Sequence, residues 1–204
     1  MKTGTILTMC MVSLVIFLGG CGSEMAKTGF LSDYSKLQKE SDSSLRYVND
    51  KAVASYSGFI VDPVKVSLGS ESKSSGKLTE EQITDLTNYM HTKIVEAVEG
   101  AGKTVAYQPA SGVARIRVAL TDMEKSSAIS VLPQASLLGA GIGGASMEAE
   151  VVDSITGEQV GAVVESAKGS RIPFSNLGDW TAAKNVMDSW AKRFQNRLVE
   201  AQGQ

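Results

Sequence analysis

The glycine-rich stretch LLGAGIGG, residues 137–144, is the first segment whose spacing could do chemistry. Gly139, Gly141 and Gly144 fit G-x-G-x-x-G, the pattern of a loop that holds a pyrophosphate at the N-terminus of a following helix. Here the next residues are ASMEAEVVD, whose apolar side chains alternate as they do in a strand. A strand brings no helix dipole, and its two glutamates would repel a phosphate. The sequence therefore predicts no nucleotide site at these glycines.

Glu148 and Glu150 are the second candidate, because paired carboxylates can serve as general acid and base. Their spacing of two places them on one face of a predicted strand, and Arg115 and Arg117 share one face of another. Cross-strand ion pairs on a solvated sheet face explain all four residues. We therefore expect these residues to stabilise a sheet rather than to catalyse a reaction.

The remaining catalytic inventory is small. His91 is the only histidine, and Cys10 and Cys21 are the only cysteines, so a metal site built from several histidines and cysteines is excluded. His91 lies beside the apolar side of a predicted helix and reads as a boundary residue, and no G-x-S-x-G elbow is present. The sequence thus predicts a protein that is not an enzyme, with no catalytic residue, metal or cofactor. Trp190 and Phe194 are expected in the core.

Cys21 is the one residue with a specific predicted modification. A positive Lys2, an uncharged apolar run over residues 6–18 and the closing Leu-Gly-Gly-Cys have the form of an export signal. The last four residues resemble the lipobox of bacterial lipoproteins, in which the cysteine takes up a diacylglycerol and fatty acids such as palmitate. We therefore expect a signal peptide over 1–20, a lipidated tether over 21–29 and a single domain over 30–204.

The predicted lipid indicates where in the cell the protein is located. Acyl chains hold a protein at a bilayer by burying methylene groups. Gly22 stands where an aspartate would favour the inner membrane in enteric-type sorting, so we expect the outer membrane, with the domain facing the periplasm. A formal net charge of −2 without a basic cluster argues against a nucleic-acid partner.

Five segments predict the elements that must position these residues. Residues 78–103 predict a helix, because Thr79 and Gln82 form a capping box and apolar residues recur at helical spacing. Strands are predicted over 56–69 and 114–124, a hairpin over 147–167 and a second helix over 179–202. We expect an α+β fold: a small antiparallel or mixed sheet of about four strands with two main helices on one face. The expected order is strand, helix, strand, hairpin, helix.

Residues 126–147 carry no charged side chain. Two interpretations remain open: a glycine-rich loop between strands, or a segment that contacts the membrane, an envelope protein or another copy of the chain. The residues of this candidate contact loop are Leu137, Leu138, Gly139, Gly141, Ile142, Gly143 and Gly144.

Four blocks of sequence, in order, carry a family resemblance: GFLSDYSKL, SLRYVND, VDPVKV and MEAEVVDSITGEQV. Over residues 29–200 the chain resembles a family of bacterial lipoproteins known as the domain of unknown function numbered thirty-three thirteen. The resemblance implies a periplasm-facing lipoprotein with a compact α+β domain. It implies no activity, cofactor or active-site residue.

Two functional hypotheses follow from these observations. The first is a non-enzymatic, lipid-anchored envelope protein that acts through protein–protein contact in envelope assembly or maintenance. The alternative is a periplasmic module that binds a small ligand or a glycan, either on the Arg115, Arg117, Glu148 and Glu150 face or in a cleft beside the glycines.

Overall fold

The computed structural model describes residues 27–68, 78–126, 142–169 and 180–203, which form an eight-stranded mixed sheet and three helices. The strands are β1 (Gln38–Ser41), β2 (Ser44–Val48), β3 (Gly58–Val61), β4 (Lys65–Val66), β5 (Thr104–Val105), β6 (Val113–Glu124), β7 (Gly144–Asp153) and β8 (Gln159–Lys168). The helices are α1 (Asp50–Ser55), α2 (Glu80–Gly100) and α3 (Thr181–Gln202).

The strand order is β1-β2-β8-β7-β6-β3-β5, and β4 pairs with β6 beyond the end of β3. From β1 to β6 the neighbouring strands are antiparallel, whereas β3 and β4 run parallel to β6 and β5 runs parallel to β3. Three long strands, β6, β7 and β8, therefore form the centre of the sheet.

The predicted four-strand sheet with two main helices is wrong, because the sheet has twice that number of strands within the described residues and a third, short helix. The sequence around residues 38–48 forms the β1–β2 hairpin, which continues the sheet from β8. The predicted strand over 56–69 is divided into β3 and β4, with Pro63 between them. Short strands such as these are fixed by pairing with distant residues, and such pairing leaves only a weak local pattern.

Helix α2 confirms its prediction in detail. The Thr79 side chain accepts a hydrogen bond from the amide of Gln82, whose own side chain accepts one from the amide of Thr79. This capping box satisfies two amides that a helix start leaves open. The apolar stripe of α2 packs with α3 and β6 in the main core; its fully or nearly buried members include Leu86, Met90 and Ile94.

The predicted hairpin is also confirmed, as β7 and β8. Its turn is held by Asp153, whose carboxylate accepts hydrogen bonds from the amides of Ile155 and Thr156, and Gly157 has the positive φ of +74°. These amides are the main cause of a lowered pKa for the Asp153 carboxyl. The hairpin places Glu148 and Glu150 near the middle of β7, on the sheet face opposite α2 and α3.

Candidate functional site

The two glutamates of β7 are buried, and the solvated sheet face expected for them is wrong. Glu148 is 0 % exposed and Glu150 is 1 % exposed. A buried carboxylate is tolerated only when hydrogen bonds replace its water. In this structure most of those bonds come from residues more than a hundred positions earlier in the chain.

The covering segment is residues 28–37, which we call the strap. The amide of Thr28 lies 2.6 Å from Glu148 Oε1, and the Tyr34 hydroxyl donates to Glu148 Oε2. The amide and the hydroxyl of Ser32 donate to Glu150 Oε2 at 2.9 and 2.7 Å. Burial raises the pKa of the Tyr34 hydroxyl, and its hydrogen bond to Glu148 raises it further. The strap therefore depends on both carboxylates.

Apolar contacts complete the attachment of the strap. Leu31 is 5 % exposed and forms a second core cluster with Ala162 and Val164 of β8, joined by Tyr34 and Leu37. The Phe30 ring centroid lies 5.4 Å from the guanidinium carbon of Arg117, which is cation–π distance. The sheet therefore has a core on each face: α2 and α3 cover one face, and the strap covers the other.

The predicted arginine partners are confirmed in one case out of two. Arg117 Nη1 lies 2.5 Å from Glu150 Oε1, and the two residues are directly opposite on β6 and β7. Arg115 instead pairs with Asp62, immediately after β3. The sequence did not reveal Asp62 as a partner, because the parallel pairing of β3 with β6 sets this contact.

Glu148 and Glu150 therefore have no free carboxylate oxygen. Oε1 of Glu150 accepts from Arg117, and Oε2 accepts from Ser32 and, at 2.9 Å, from Gln159 Nε2. Both oxygens of Glu148 are bonded to the strap. General acid–base work needs a carboxyl group that can reach a substrate, so this arrangement fits a structural role.

A cavity of about 150 Å³ lies between the other face of the sheet and α3. Its walls are mainly apolar and include Met90 and Ile94 of α2, Val118 of β6 and Met147 of β7. Trp190 was predicted to lie in the core. It lies in the main core, where it is 3 % exposed, and it also lines the cavity. Its indole Nε1 is buried without a hydrogen-bond partner among the described residues, a condition that costs about 1–3 kcal/mol.

Charged residues surround the cavity on the side of the β1–β2 hairpin. Arg46 Nη2 lies 2.6 Å from Glu40 Oε1, and Arg193 Nη2 lies 2.5 Å from Glu165 Oε1. Arg197 Nη2 is 3.5 Å from the same oxygen of Glu40. Three arginines thus meet two glutamates, and Arg46 Nη1 is buried with no partner in the described part of the chain. We call these five residues the arginine mouth. Their spacing in the sequence did not predict that they would lie together.

A second, more polar cleft lies where β3 ends. It is lined by the Arg115–Asp62 pair, by His91 and Glu99 of α2, and by Tyr107. His91 is half-buried, with Nε2 3.4 Å from the carbonyl oxygen of Val61. Tyr107 is 86 % exposed, which is unusual for a large aromatic side chain.

Only the end of the candidate contact loop lies within the described residues. Leu137, Leu138, Gly139 and Gly141 lie outside them, whereas Ile142 is 7 % exposed and β7 begins at Gly144. The strand predicted after the glycines is therefore confirmed.

Gly143 and Gly144 have steric reasons to be glycine. Gly143 has φ +78°, and a Cβ there would lie 2.8 Å from the amide nitrogen of Ser126. A Cβ on Gly144 would lie 2.4 Å from the carbonyl oxygen of Ala167. Close backbone packing at the start of β7 thus accounts for these two glycines.

Within the described ranges, no three histidine, cysteine, aspartate or glutamate residues are arranged to hold a metal ion. Over the same ranges, no helix has the length and apolarity needed to cross a membrane. Cys21 and the predicted signal peptide lie outside the described residues.

The fold and the strap define a class: α+β proteins with a mixed sheet covered by helices on one face and by an irregular segment on the other. The chain belongs to the family described as "Protein of unknown function (DUF3313)", which it matches over residues 26–194. This match confirms the resemblance seen in the sequence. No curated protein matches the chain.

Two solved structures of PelC from Paraburkholderia phytofirmans, both dodecamers, share part of the chain path. One, a point variant, is 13 % identical with a TM-score of 0.47 and covers 76 % of this chain and 95 % of its own. The other is 12 % identical with a TM-score of 0.44 and covers 78 % and 96 %. At these scores the likeness supports no further conclusion about this chain.

Proposed function

We propose that this protein is a non-enzymatic lipoprotein, anchored in the outer membrane through Cys21, that acts by protein–protein contact in envelope assembly or maintenance. The observation that carries the proposal is the strap. It joins Thr28, near the first described residue, directly to the central strand β7. A lipid on Cys21 would therefore hold the whole domain close to the bilayer.

The reach of this attachment follows from covalent geometry. Six residues lie between Cys21 and Thr28, and the seven Cα–Cα steps of this segment span at most about 25 Å when fully extended. The strap face of the sheet would then lie within about one domain diameter of the membrane surface. Partners at the same surface would meet this domain at a high effective concentration.

The buried carboxylates support the non-enzymatic part of the proposal. Glu148 and Glu150 were the sequence's best pair for acid–base chemistry, and their oxygens are taken by the strap, Arg117 and Gln159. A substrate would have to displace the strap to reach them. Their arrangement is therefore that of a structural anchor.

The proposed lipid anchor at Cys21 is tested by labelling cells with radioactive palmitate and isolating the protein. We expect label in the wild type and in Cys10→Ala, the matched control within the signal, and none in Cys21→Ala. Membrane fractionation should place the wild type with outer-membrane vesicles. Label retained in Cys21→Ala, or fractionation with the inner membrane, would refute the proposed anchor or address.

The proposed protein–protein contact is tested by crosslinking in intact cells and identifying the crosslinked proteins. The deletion variant should remove residues 135–141 and stop before Ile142, since Ile142, Gly143 and Gly144 pack on the domain. If the loop is a contact surface, the deletion removes specific crosslinks without lowering the melting temperature. If the wild type gives no specific crosslink at all, or if the purified domain turns over an envelope substrate, the contact proposal fails.

A second candidate, a module that binds a polar small ligand or a glycan, is favoured by the cleft at the end of β3. An exposed Tyr107 beside the Arg115–Asp62 pair offers an aromatic face and charged hydrogen-bonding groups together. These are the groups that recognise the faces and hydroxyls of a sugar ring. The face first expected to bind ligand, around Arg117, Glu148 and Glu150, is covered by the strap.

Cell-wall glycan fragments titrated into the protein provide the test. Saturable binding lost in Tyr107→Ala, but kept in Ile155→Ala at another exposed apolar side chain, would support this candidate. A glycan that binds equally to both variants, or does not bind, would exclude the cleft.

A further inference from the structure

We propose that the cavity between the sheet and α3 binds a linear amphiphile, with an acyl chain inside the cavity and an anionic headgroup at the arginine mouth. The proposal goes beyond the contact function, and it does not depend on the predicted lipid at Cys21. Three features of the cavity carry it: its size and walls, two unpartnered donors, and the charge at its opening.

The size and the walls fit a short length of hydrocarbon. An apolar cavity of about 150 Å³ accepts a molecule the size of benzene, and this cavity has that volume. It therefore has room for about six carbon atoms of a chain. Met90 and Met147 on its walls are flexible side chains that adapt to the shape of a guest, while Ile94 and Val118 provide fixed aliphatic surface.

The unpartnered donors favour a ligand that brings acceptor atoms. Trp190 Nε1 and Arg46 Nη1 are both buried, and neither has a hydrogen-bond partner among the described residues. Both residues line the cavity, and both groups can only donate hydrogen bonds. Pure hydrocarbon would leave both donors unsatisfied. A carboxylate or a phosphate oxygen would satisfy them.

The charge at the opening selects an anion over a cation. Among the described residues, Arg46, Arg193 and Arg197 form ion pairs with two acidic residues, Glu40 and Glu165, which leaves one positive charge in excess. Each guanidinium has five N–H donors, so donors remain beyond those in the ion pairs. An anionic headgroup would therefore sit at the mouth while its chain entered the cavity.

Free fatty acids and phospholipids share this chemistry of an acyl chain with an anionic head. The binding test uses a chain that begins at Gly22, because the described fold lies entirely within residues 27–203. Octanoate represents the fatty acid and octyl phosphate the phospholipid, each titrated below its critical micelle concentration. Tighter binding of one of them identifies the source.

A chain-length series distinguishes this cavity from general adsorption. For butyrate, hexanoate, octanoate and decanoate, calorimetry should give an affinity that rises about fourfold per methylene. The rise should stop once the cavity is filled. Adsorption to an exposed surface would continue to strengthen with length, so a series without a plateau would overturn the proposal. An absence of saturable binding would also overturn it.

Two variants locate the bound chain. Ala191→Leu places a larger side chain in the cavity wall and should weaken octanoate binding at least about tenfold, since little room for the guest remains. Val199→Leu enlarges a half-exposed residue on the same helix and should bind as the wild type does. If Ala191→Leu fails to fold, Ala149→Leu fills the cavity from the sheet side. Normal octanoate binding by a folded filling variant would refute the site.

Two further variants locate the headgroup. Arg46→Gln should weaken octanoate about tenfold, because a charge-assisted hydrogen bond is lost, and should leave octanol binding unchanged. Lys192→Gln removes an exposed positive charge of α3 outside the mouth and should change neither. Equal effects of Arg46→Gln on octanoate and octanol would contradict the assigned headgroup position.

Discussion

At the scale of residues, Glu150 is a carboxyl group buried in the middle of the sheet. The Glu150 side chain is 1 % exposed and accepts hydrogen bonds from Arg117, Ser32 and Gln159. A buried carboxylate adds little net stability when all its partners are present, but removing it leaves those partners without an acceptor. The contribution of Glu150 to stability is therefore best measured by replacing it with alanine.

Glu150→Ala should lower the free energy of unfolding by about 2–4 kcal/mol, because Arg117 and Ser32 lose their shared acceptor. Urea denaturation followed by circular dichroism measures this loss. The matched control is Glu96→Ala, which breaks the exposed pair with Lys93 and should cost less than about 1 kcal/mol. Equal losses in the two variants would mean that Glu150 is not an anchor of the strap.

Two glycines with similar φ values separate backbone strain from steric contact. Gly157→Ala should cost about 1–2 kcal/mol, because φ +74° is unfavourable for an L-residue but its Cβ meets nothing within 4 Å. Gly143→Ala adds a Cβ 2.8 Å from the Ser126 nitrogen and 2.9 Å from the Glu124 oxygen and should cost clearly more. Thermal unfolding of both variants checks the order. A milder effect at Gly143 would contradict the close packing at the start of β7.

Tyr56 predicts a specific loss of stability in alkali. Burial, together with the hydrogen bond to Asp153, raises the pKa of Tyr56 to about 12, from an ordinary value of about 10. The folded protein therefore holds this proton more tightly than the unfolded chain does. The stabilisation is complete below about pH 10 and is lost as the pH rises towards 12.

Urea midpoints of the wild type and of Tyr56→Phe, measured at several pH values from about 9 upward, test this behaviour. The stability advantage of the wild type should shrink as the pH rises through this range. A difference that stayed constant would contradict the raised pKa of Tyr56.

At the scale of elements, the strap covers the sheet face that lies opposite the helices. It has no helix or strand of its own before β1, and it is held by carboxylates at Thr28 and Ser32 and by an apolar contact at Leu31. Because the polar and apolar contacts alternate along the same few residues, neither set forms fully without the other.

Leu31→Ala should release the strap while leaving the helical face intact. A buried leucine truncated to alanine loses about 2–5 kcal/mol of packing, much of it here from strap docking on Ala162 and Val164. Hydrogen exchange should accelerate at the Thr28 and Ser32 amides and stay unchanged in α2. Gln38→Ala, at an exposed β1 position, should leave the strap amides protected. Faster exchange throughout the protein would instead indicate global destabilisation.

At the scale of the whole molecule, the sheet separates two cores of unequal size. The larger core lies between the helices and the sheet and borders the cavity, and the smaller core lies beneath the strap. Strand β8 contributes side chains to both cores. The two cores should therefore unfold together.

We expect a single cooperative transition on urea denaturation of the chain from Gly22. Tryptophan fluorescence reports on Trp180 and Trp190, which pack with the larger core, and circular dichroism reports on the sheet and helices. The two curves should coincide, as two-state unfolding requires. Separate midpoints would show that the helical core and the sheet are independent units.

Local pattern alone was sufficient for some elements. The capping box at Thr79 and Gln82 and the apolar stripe of α2 fixed that helix, because both act within a few residues. Strand β6 and the β7–β8 hairpin followed from alternation and from a turn that needs a glycine at Gly157. Sequence spacing also predicted cross-strand ion pairs between the two arginines and the two glutamates, and the pair of Arg117 with Glu150 is one of them.

Only the tertiary structure decided the surroundings of these elements. Alternation placed Glu148 and Glu150 on one face, but it could not tell that Thr28, Ser32 and Tyr34 would cover that face and replace water as its partners. The parallel pairing that joins Arg115 to Asp62, and the five residues of the arginine mouth, likewise depend on contacts between distant segments. The physical reason is the same in each case: periodicity determines which way a side chain points, whereas burial depends on what the rest of the chain places over it.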